Sequence, residues 1–351
     1  MKLALQAVRP AIRLLARPQT LAQLPRLLKE GMGPVRRLFI QAHNQRELAR
    51  LVHCGERVNF ISSFARSGNT WTRNLLADAL LQAQGVKTDT DLPVPFTEVV
   101  PDYYCDLISR HNPVLKMPGI VVKTHDSFEQ LRERILGGSG AAGAESRQSP
   151  EAFRNCKIVY LFRSPEDVLV SYFHLQRKVN YIERSQFGID EFCRSQLPHW
   201  MANLKSYLQA AEAGVAVFFV AYEHMLQDPA ATLTGVLRWL EIPHDAQVVE
   251  RAVAHMHFAN LRAREERTAP GNTQFSLRRG GTGAALEELQ PQTRCEIREA
   301  TAQLLKQANK QVARQITLYN TAPASKPSPA AGSASREKVA GLQPAGGLQT
   351  I

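Results

Sequence analysis

The sequence predicts an α/β fold with a mostly parallel central sheet flanked by helices, and three observations predict it. Short apolar runs recur at residues 58–64, 119–125, 157–163 and 215–222, the pattern of strands buried on both faces. Helical patterns separate these runs, as crossovers between parallel strands require. The runs end in polar residues, as strands do at the ligand crevice along the C-terminal edge of a parallel sheet.

The first run leads into the densest chemistry. Residues 58–64 read as a buried strand and residues 65–69 as a turn. A helix follows, with Trp71, Leu75, Leu76, Ala79 and Leu80 on one face and Gly85 placed to end it. A strand, a small-residue loop and a helix start aim backbone N–H groups at an anion. Ser67, Asn69 and Thr70 add side-chain donors and Arg66 adds a positive charge. This loop is predicted to hold a phosphate or sulfate group.

The other elements follow in order. Residues 86–118 are rich in proline and carry Phe96, Tyr103 and Tyr104, an irregular stretch suited to lining a substrate pocket. With Phe173 and Tyr181 these aromatics are expected to shape an acceptor site. The second strand ends in Lys123-Thr124-His125. Residues 137–150 read as a mobile low-complexity loop. The third strand runs into Arg163, and Ser164-Pro165-Glu166-Asp167 reads as a helix start. Ser164 is the expected N-cap, Pro165 takes the first helical position and Asp167 completes a capping box. That helix carries Ser171. The fourth strand ends in Tyr222 and Glu223. A basic glycine-rich loop at 275–283 contains Arg278, Arg279 and Gly280.

Composition bounds the rest. The 44% apolar fraction supports a sizeable core. Of the net charge of +11, ten basic and two acidic residues fall within residues 1–50, so +8 resides there. The main domain is near neutral, which argues against a nucleic-acid partner. Residues 1–50 read as a basic N-terminal extension; a solvated arm, an amphipathic peripheral membrane anchor and a transit segment all remain open. The main domain is expected over 51–320 and a disordered low-complexity tail over 321–351. Five scattered cysteines suggest reduced thiols in a cytoplasmic setting.

Four polar loops, 64–71, 123–125, 163–171 and 278–283, would converge on one sheet edge. Arg66, Lys123, Arg163, Arg278 and Arg279 would then surround a small, highly anionic ligand, with Trp71, Tyr222 and Phe258 offering flat surfaces for a base. A nucleotide with more than one phosphate-like group fits. An ordinary nucleoside-triphosphate loop does not, because Ser67-Gly68-Asn69-Thr70 has neither the second glycine nor the following lysine of that motif.

At this point the chain resembles a known family. Ser-Phe-Ala-Arg-Ser-Gly-Asn-Thr-Trp (63–71) is similar to the 5′-phosphosulfate loop of sulfotransferases that use 3′-phosphoadenosine 5′-phosphosulfate (PAPS). Tyr-Leu-Phe-Arg-Ser-Pro-Glu-Asp-Val-Leu-Val-Ser-Tyr (160–172) resembles their 3′-phosphate motif, Lys-Thr-His (123–125) their catalytic-base segment, and Arg-Arg-Gly-x-x-Gly (278–283) their late basic loop. The motifs stand in the family's order. The resemblance implies a P-loop-like fold and transfer of a sulfonate to a hydroxyl or amine of a small-molecule or glycan acceptor, with PAPS as co-substrate and no metal. It implies that Arg66, Ser67, Gly68, Asn69 and Thr70 cradle the 5′-phosphosulfate, while Trp71, Tyr222 and Phe258 contact the base. Arg163, Ser171, Arg278, Arg279 and Gly280 would bind the 3′-phosphate. His125 would act as general base, with Lys123 and Arg66 stabilising charge.

Two departures stand out. Arg66 occupies a position that is lysine in many relatives; its guanidinium keeps the charge but does not release a proton readily. Ala284-Ala285 follows the last glycine of the late loop where many relatives have Asp-Trp, which leaves that loop's anchorage open. A P-loop-type nucleoside or small-molecule kinase and a catalytically silent nucleotide-binding relative are the alternative readings.

Overall fold

A computed structural model of the protein describes residues 33–86, 96–108, 119–136, 153–178, 188–257, 259–261, 263 and 281–321. The four expected strands form β1 (Val58–Ser63), β2 (Ile120–Thr124), β3 (Ile158–Phe162) and β4 (Val217–Ala221). They make one sheet in the order β2-β1-β3-β4, and each neighbouring pair is parallel. Successive side chains point to opposite faces. Phe60, Val122, Ile158, Tyr160 and Phe219 therefore enter one core layer, and Ile61, Val121, Val159, Leu161 and Phe218 enter the other. With both faces covered, the strands have no polar side, which is why each reads as a nearly continuous apolar run.

Side chains and loops close both sheet edges. On the β4 side, Gln315 of the long helix Pro291–Thr321 imitates a neighbouring strand. Its Oε1 accepts from Phe219 N–H at 2.8 Å and its Nε2 donates to Val217 C=O at 2.9 Å. On the β2 side, residues 101–103 run alongside Lys123. Covered edges offer no template for foreign strands.

The first described helix, α1 (Gly33–His53), runs across residue 51, where the main domain is expected to begin. Ile40, Leu48 and Leu51 are buried in the domain. Asn44 is fully buried and holds Tyr103 C=O, Asp106 C=O and Ile108 N–H at 2.8–2.9 Å. The charged face of this helix made it read as an extension, while its apolar and amide positions belong to the core. The remaining N-terminal extension, the 137–150 loop and the C-terminal tail lie outside the described residues. Among the described residues no helix is long and apolar enough to cross a membrane.

Helix α2 (Asn69–Ala83) follows β1, and short helix α3 (Phe96–Val99) precedes β2. Helix α4 (Phe128–Leu136) follows β2, and α5 (Pro165–Lys178) and α6 (Ile189–Glu212) follow β3. Beyond β4 come α7 (Tyr222–Gln227), α8 (Pro229–Trp239), α9 (Ala246–His255), α10 (Ala284–Glu288) and finally α11 (Pro291–Thr321). Because β1 is followed by a strand on one side and β3 returns on the other, the chain reverses direction across the sheet at β1. That reversal leaves a crevice at the strands' C-terminal ends.

Candidate active site

The loop after β1 is shaped by two residues in the left-handed region, Arg66 (φ 73°) and Gly68 (φ 102°). Gly68 is the N-cap of α2, and a Cβ there would meet Tyr222 Cδ2 at 2.5 Å. Glycine is therefore required twice over, by its dihedral and by the ring behind it. The helix it opens has no side-chain cap and no acidic residue in its first turn. Its first-turn N–H groups and positive dipole end therefore meet no acid from the helix itself. Thr70 is exposed beside them.

Buried polar atoms in the loop carry the same message. Ser67 Oγ, Asn69 Oδ1 and Arg163 Nε are buried with no hydrogen-bond partner among the described residues. Leaving such a group unsatisfied costs about 1–3 kcal/mol, and three around one crevice fit a polar ligand. Asn69 departs from its expected role as a side-chain donor to the anion. Its Nδ2 donates to Ser63 Oγ and Thr124 C=O, both at 3.1 Å, and so braces the ends of β1 and β2 together.

His125 sits just beyond β2. Its Nδ1 lies 3.0 Å from Ser63 C=O, an atom that only accepts, so Nδ1 carries the hydrogen and the Nε2 lone pair remains. Burial and the nearby Lys123 ammonium lower its pKa to about 4, leaving the ring neutral at pH 7. The turn behind it is firmly held. Asp126 is buried and accepts from Thr124 Oγ1 at 2.9 Å, Arg134 Nε at 2.8 Å and the Tyr104 hydroxyl. Its backbone C=O accepts from the Tyr207 hydroxyl at 3.0 Å.

Lys123, expected to face the transferring group, places its ammonium on Asp102 in a buried ion pair. Burial works to raise the Asp102 pKa, but Lys123 outweighs it and holds the carboxyl below its usual range. The pairing neutralises much of the lysine's local charge.

The 3′-side residues come together around α5. Arg66 Nε donates to Ser171 Oγ at 2.9 Å, joining the first loop to this helix. The Arg163 guanidinium carbon lies 4.7 Å from the Tyr222 ring centroid, and its Nη2 donates to Gly281 C=O at 2.8 Å. Tyr222, expected to lie near the base, is mostly buried behind the loop, with Gly68 on its ring and Trp71 edge-on at 6.2 Å. Trp71 is half-buried and donates its indole N–H to Met256 C=O at 2.9 Å. Phe258, Arg278, Arg279, Gly280 and Tyr181 lie outside the described residues.

The capping box expected at Ser164 is not formed. Ser164 N–H donates to Glu223 Oε1 at 2.9 Å, whereas the Asp167 carboxylate accepts from Gly283 and Ala285 N–H at 2.8 and 3.1 Å. Proximity in space displaced the local pairing. Tyr103 and Phe173, expected around an acceptor, are core residues; Phe64 and Tyr172 instead form a half-buried edge-to-face pair with centroids 5.4 Å apart. Ser63, Asp102, Asp126 and Glu223 were not singled out for these roles. Ser63 acts mainly through its backbone, and the three acids act on partners distant in sequence or through a turn; Asp126, next to His125, had a signal only in its adjacency.

Fold and site together define a parallel α/β protein whose strand ends carry a helix N-terminus without a side-chain cap, Arg66, Arg163 and a neutral His125. The chain belongs to the sulfotransferase domain family, which matches residues 57–309. It is 27% identical to flavonol 3-sulfotransferase of Flaveria bidentis, over 59% of this chain and 65% of that protein. It is 26% identical to cytosolic sulfotransferase 7 of Arabidopsis thaliana, over 54% and 58% of the two. These matches span less than two thirds of the relatives' length. The fold is similar to mouse sulfotransferase SULT7A1 complexed with PAP (TM-score 0.50, 17% identity, 79% of this chain and 94% of that one). It is also similar to retinol dehydratase in a complex with retinol and PAP (TM-score 0.50, 16% identity, 75% and 86%).

Proposed function

We propose that this protein transfers a sulfonate group from PAPS to a hydroxyl or amine acceptor by in-line displacement, with His125 as general base. The observation that carries this reading is the placement of an acid-free helix N-terminus, with the unpartnered Ser67 Oγ, beside an imidazole that keeps its Nε2 lone pair. The sulfotransferase names of the relatives and the PAP in two structural neighbours support the choice of donor.

PAPS would supply an activated sulfonate and a phosphate leaving group. Residues 66–70 hold the 5′ side through backbone N–H groups, the Ser67 and Thr70 hydroxyls and the Arg66 charge. Trp71 presents its flat face to the adenine. Arg163 and Ser171 take the 3′-phosphate, joined by Arg278, Arg279 and Gly280. His125 Nε2 accepts the acceptor's proton, and the fixed Nδ1–H keeps the ring in the competent tautomer. Arg66 stabilises the charge that builds on the departing phosphate without giving up a proton. Lys123 contributes less, because Asp102 already balances it. The Phe64–Tyr172 pair favours a small-molecule acceptor with an apolar body; a glycan is the other outcome of an acceptor screen.

The test is transfer of labelled sulfonate from PAPS to a panel of alcohols, phenols, amines and sugars, with labelled ATP as the competing donor. His125→Ala is expected to lose about 10³-fold in turnover, the scale of lost general-base catalysis, while binding adenosine 3′,5′-bisphosphate within about threefold of the native protein. Phosphoryl transfer from ATP, or full turnover by His125→Ala, would overturn the reading.

A further inference from the structure

The end of the late basic loop is tied to α5 at both ends of α10. Asp167, only 4% exposed, spends both carboxylate oxygens on this contact: Oδ2 accepts from Gly283 N–H at 2.8 Å and Oδ1 from Ala285 N–H at 3.1 Å. Gly283 is the N-cap of α10 and adopts φ 95°, so its N–H can face the carboxylate while the chain turns into the helix. At the far end, Glu288 Oε2 lies 2.5 Å from His174 Nε2 of α5. Ala285 and Leu289 are buried between these contacts. Arg163 joins the same group: Nη2 lies 3.4 Å from Asp167 Oδ2 and donates to Gly281 C=O. One carboxylate therefore touches both Arg163 and the exit of the segment that carries Arg278 and Arg279, three and two positions before Gly281.

We infer that Asp167 is a positioning residue that holds Arg163 against Gly281–Gly283 so that its guanidinium acts on the 3′-phosphate of the nucleotide. The inference rests on the PAPS reading above. It also answers the loop's missing Asp-Trp: Ala284-Ala285 supplies backbone N–H and a small buried side chain, and the acid comes from α5. A carboxylate suits this place because it accepts on both oxygens and faces a guanidinium. An amide keeps the shape, accepts on one side only and turns an N–H toward a second N–H.

The test compares Asp167→Asn and Asp167→Ala with the native protein, using adenosine 3′,5′-bisphosphate and adenosine 5′-monophosphate as calorimetric probes. The two ligands differ by the 3′-phosphate alone. Native protein that fails to prefer the bisphosphate would sink the PAPS reading itself, before any variant is measured. Given that preference, both variants are expected to lose about 30-fold or more in bisphosphate affinity while binding the monophosphate within about threefold. Their KM for PAPS should rise far more than kcat falls. Equal losses for both ligands, no loss for either, or failure of both variants to fold would assign Asp167 to structure alone and overturn the inference.

Discussion

Two strand-turn-helix units stand side by side at the same sheet edge and use their helix N-termini in opposite ways. The unit after β1 opens α2 through a left-handed Gly68, with no capping side chain and no acid in the first turn. The unit after β3 opens α5 with Glu166 and Asp167 in the first turn and the Glu223 carboxylate on Ser164 N–H. Three carboxylates near a helix N-terminus offset its dipole internally, and Glu223 takes the Ser164 N–H while Asp167 serves Gly283 and Ala285. The first unit thus opens without an acid, and the second opens among three. What the second offers a ligand is Arg163 and Ser171. The difference teaches that a shared strand-loop-helix layout does not define an anion site; the absence of a competing acid does.

The comparison breaks most sharply at Thr70. Thr70→Glu places a carboxylate at the open N-terminus of α2, where it is compatible with helix formation. It is expected to weaken binding of adenosine 3′,5′-bisphosphate about 100-fold, read by calorimetry, with the melting temperature held or slightly raised. Unchanged affinity would show that the anion does not use this helix end.

A smaller effect is expected in the pH profile. His125 is neutral above about pH 4 in the free protein, because burial and Lys123 lower its pKa. The acid limb of kcat/KM, which reports the free enzyme, is expected below about pH 5. An anionic donor at α2 favours the charged imidazole, so the acid limb of kcat should lie about one unit higher or more. Coincident limbs near the ordinary histidine pKa would count against both the neutral imidazole and the neighbouring anion.

The smallest effect is expected on the filled side. Glu223→Gln keeps an acceptor for Ser164 N–H and removes a charge from the helix end. Stability should fall by about 0.3–1 kcal/mol, with bisphosphate affinity changed less than about threefold. A tenfold gain in affinity would reveal α5 as a second anion site and erase the contrast.

Much of this arrangement was legible in the chain itself. The apolar runs marked the four strands because a sheet buried on both faces admits no polar alternation. Gly68, Arg66, His125, Arg163 and Ser171 could be proposed as site residues from the chain because strand-end chemistry is compact in sequence. Asp167 was visible but misread, since a capping box is a local rule and the stronger partner lay on α10. The packing of α1 was less legible, because a helix with a charged outer face resembles a solvated arm until Leu48 and Leu51 are seen to be buried.

Alone, the sequence determined the α/β class, the strand order along the chain, the strand-loop-helix unit at Gly68 and the family it resembles, because these depend on short-range pattern and spacing. Only the tertiary structure decided which acid neutralises Lys123, which backbone carbonyl sets the His125 tautomer and which helix end stays open. Each of these depends on groups far apart in the chain, such as Asp102 with Lys123, Ser63 with His125 and Glu223 with Ser164. Hydrogen bonds and charges act over a few ångströms, and only the folded sheet brings those groups that close.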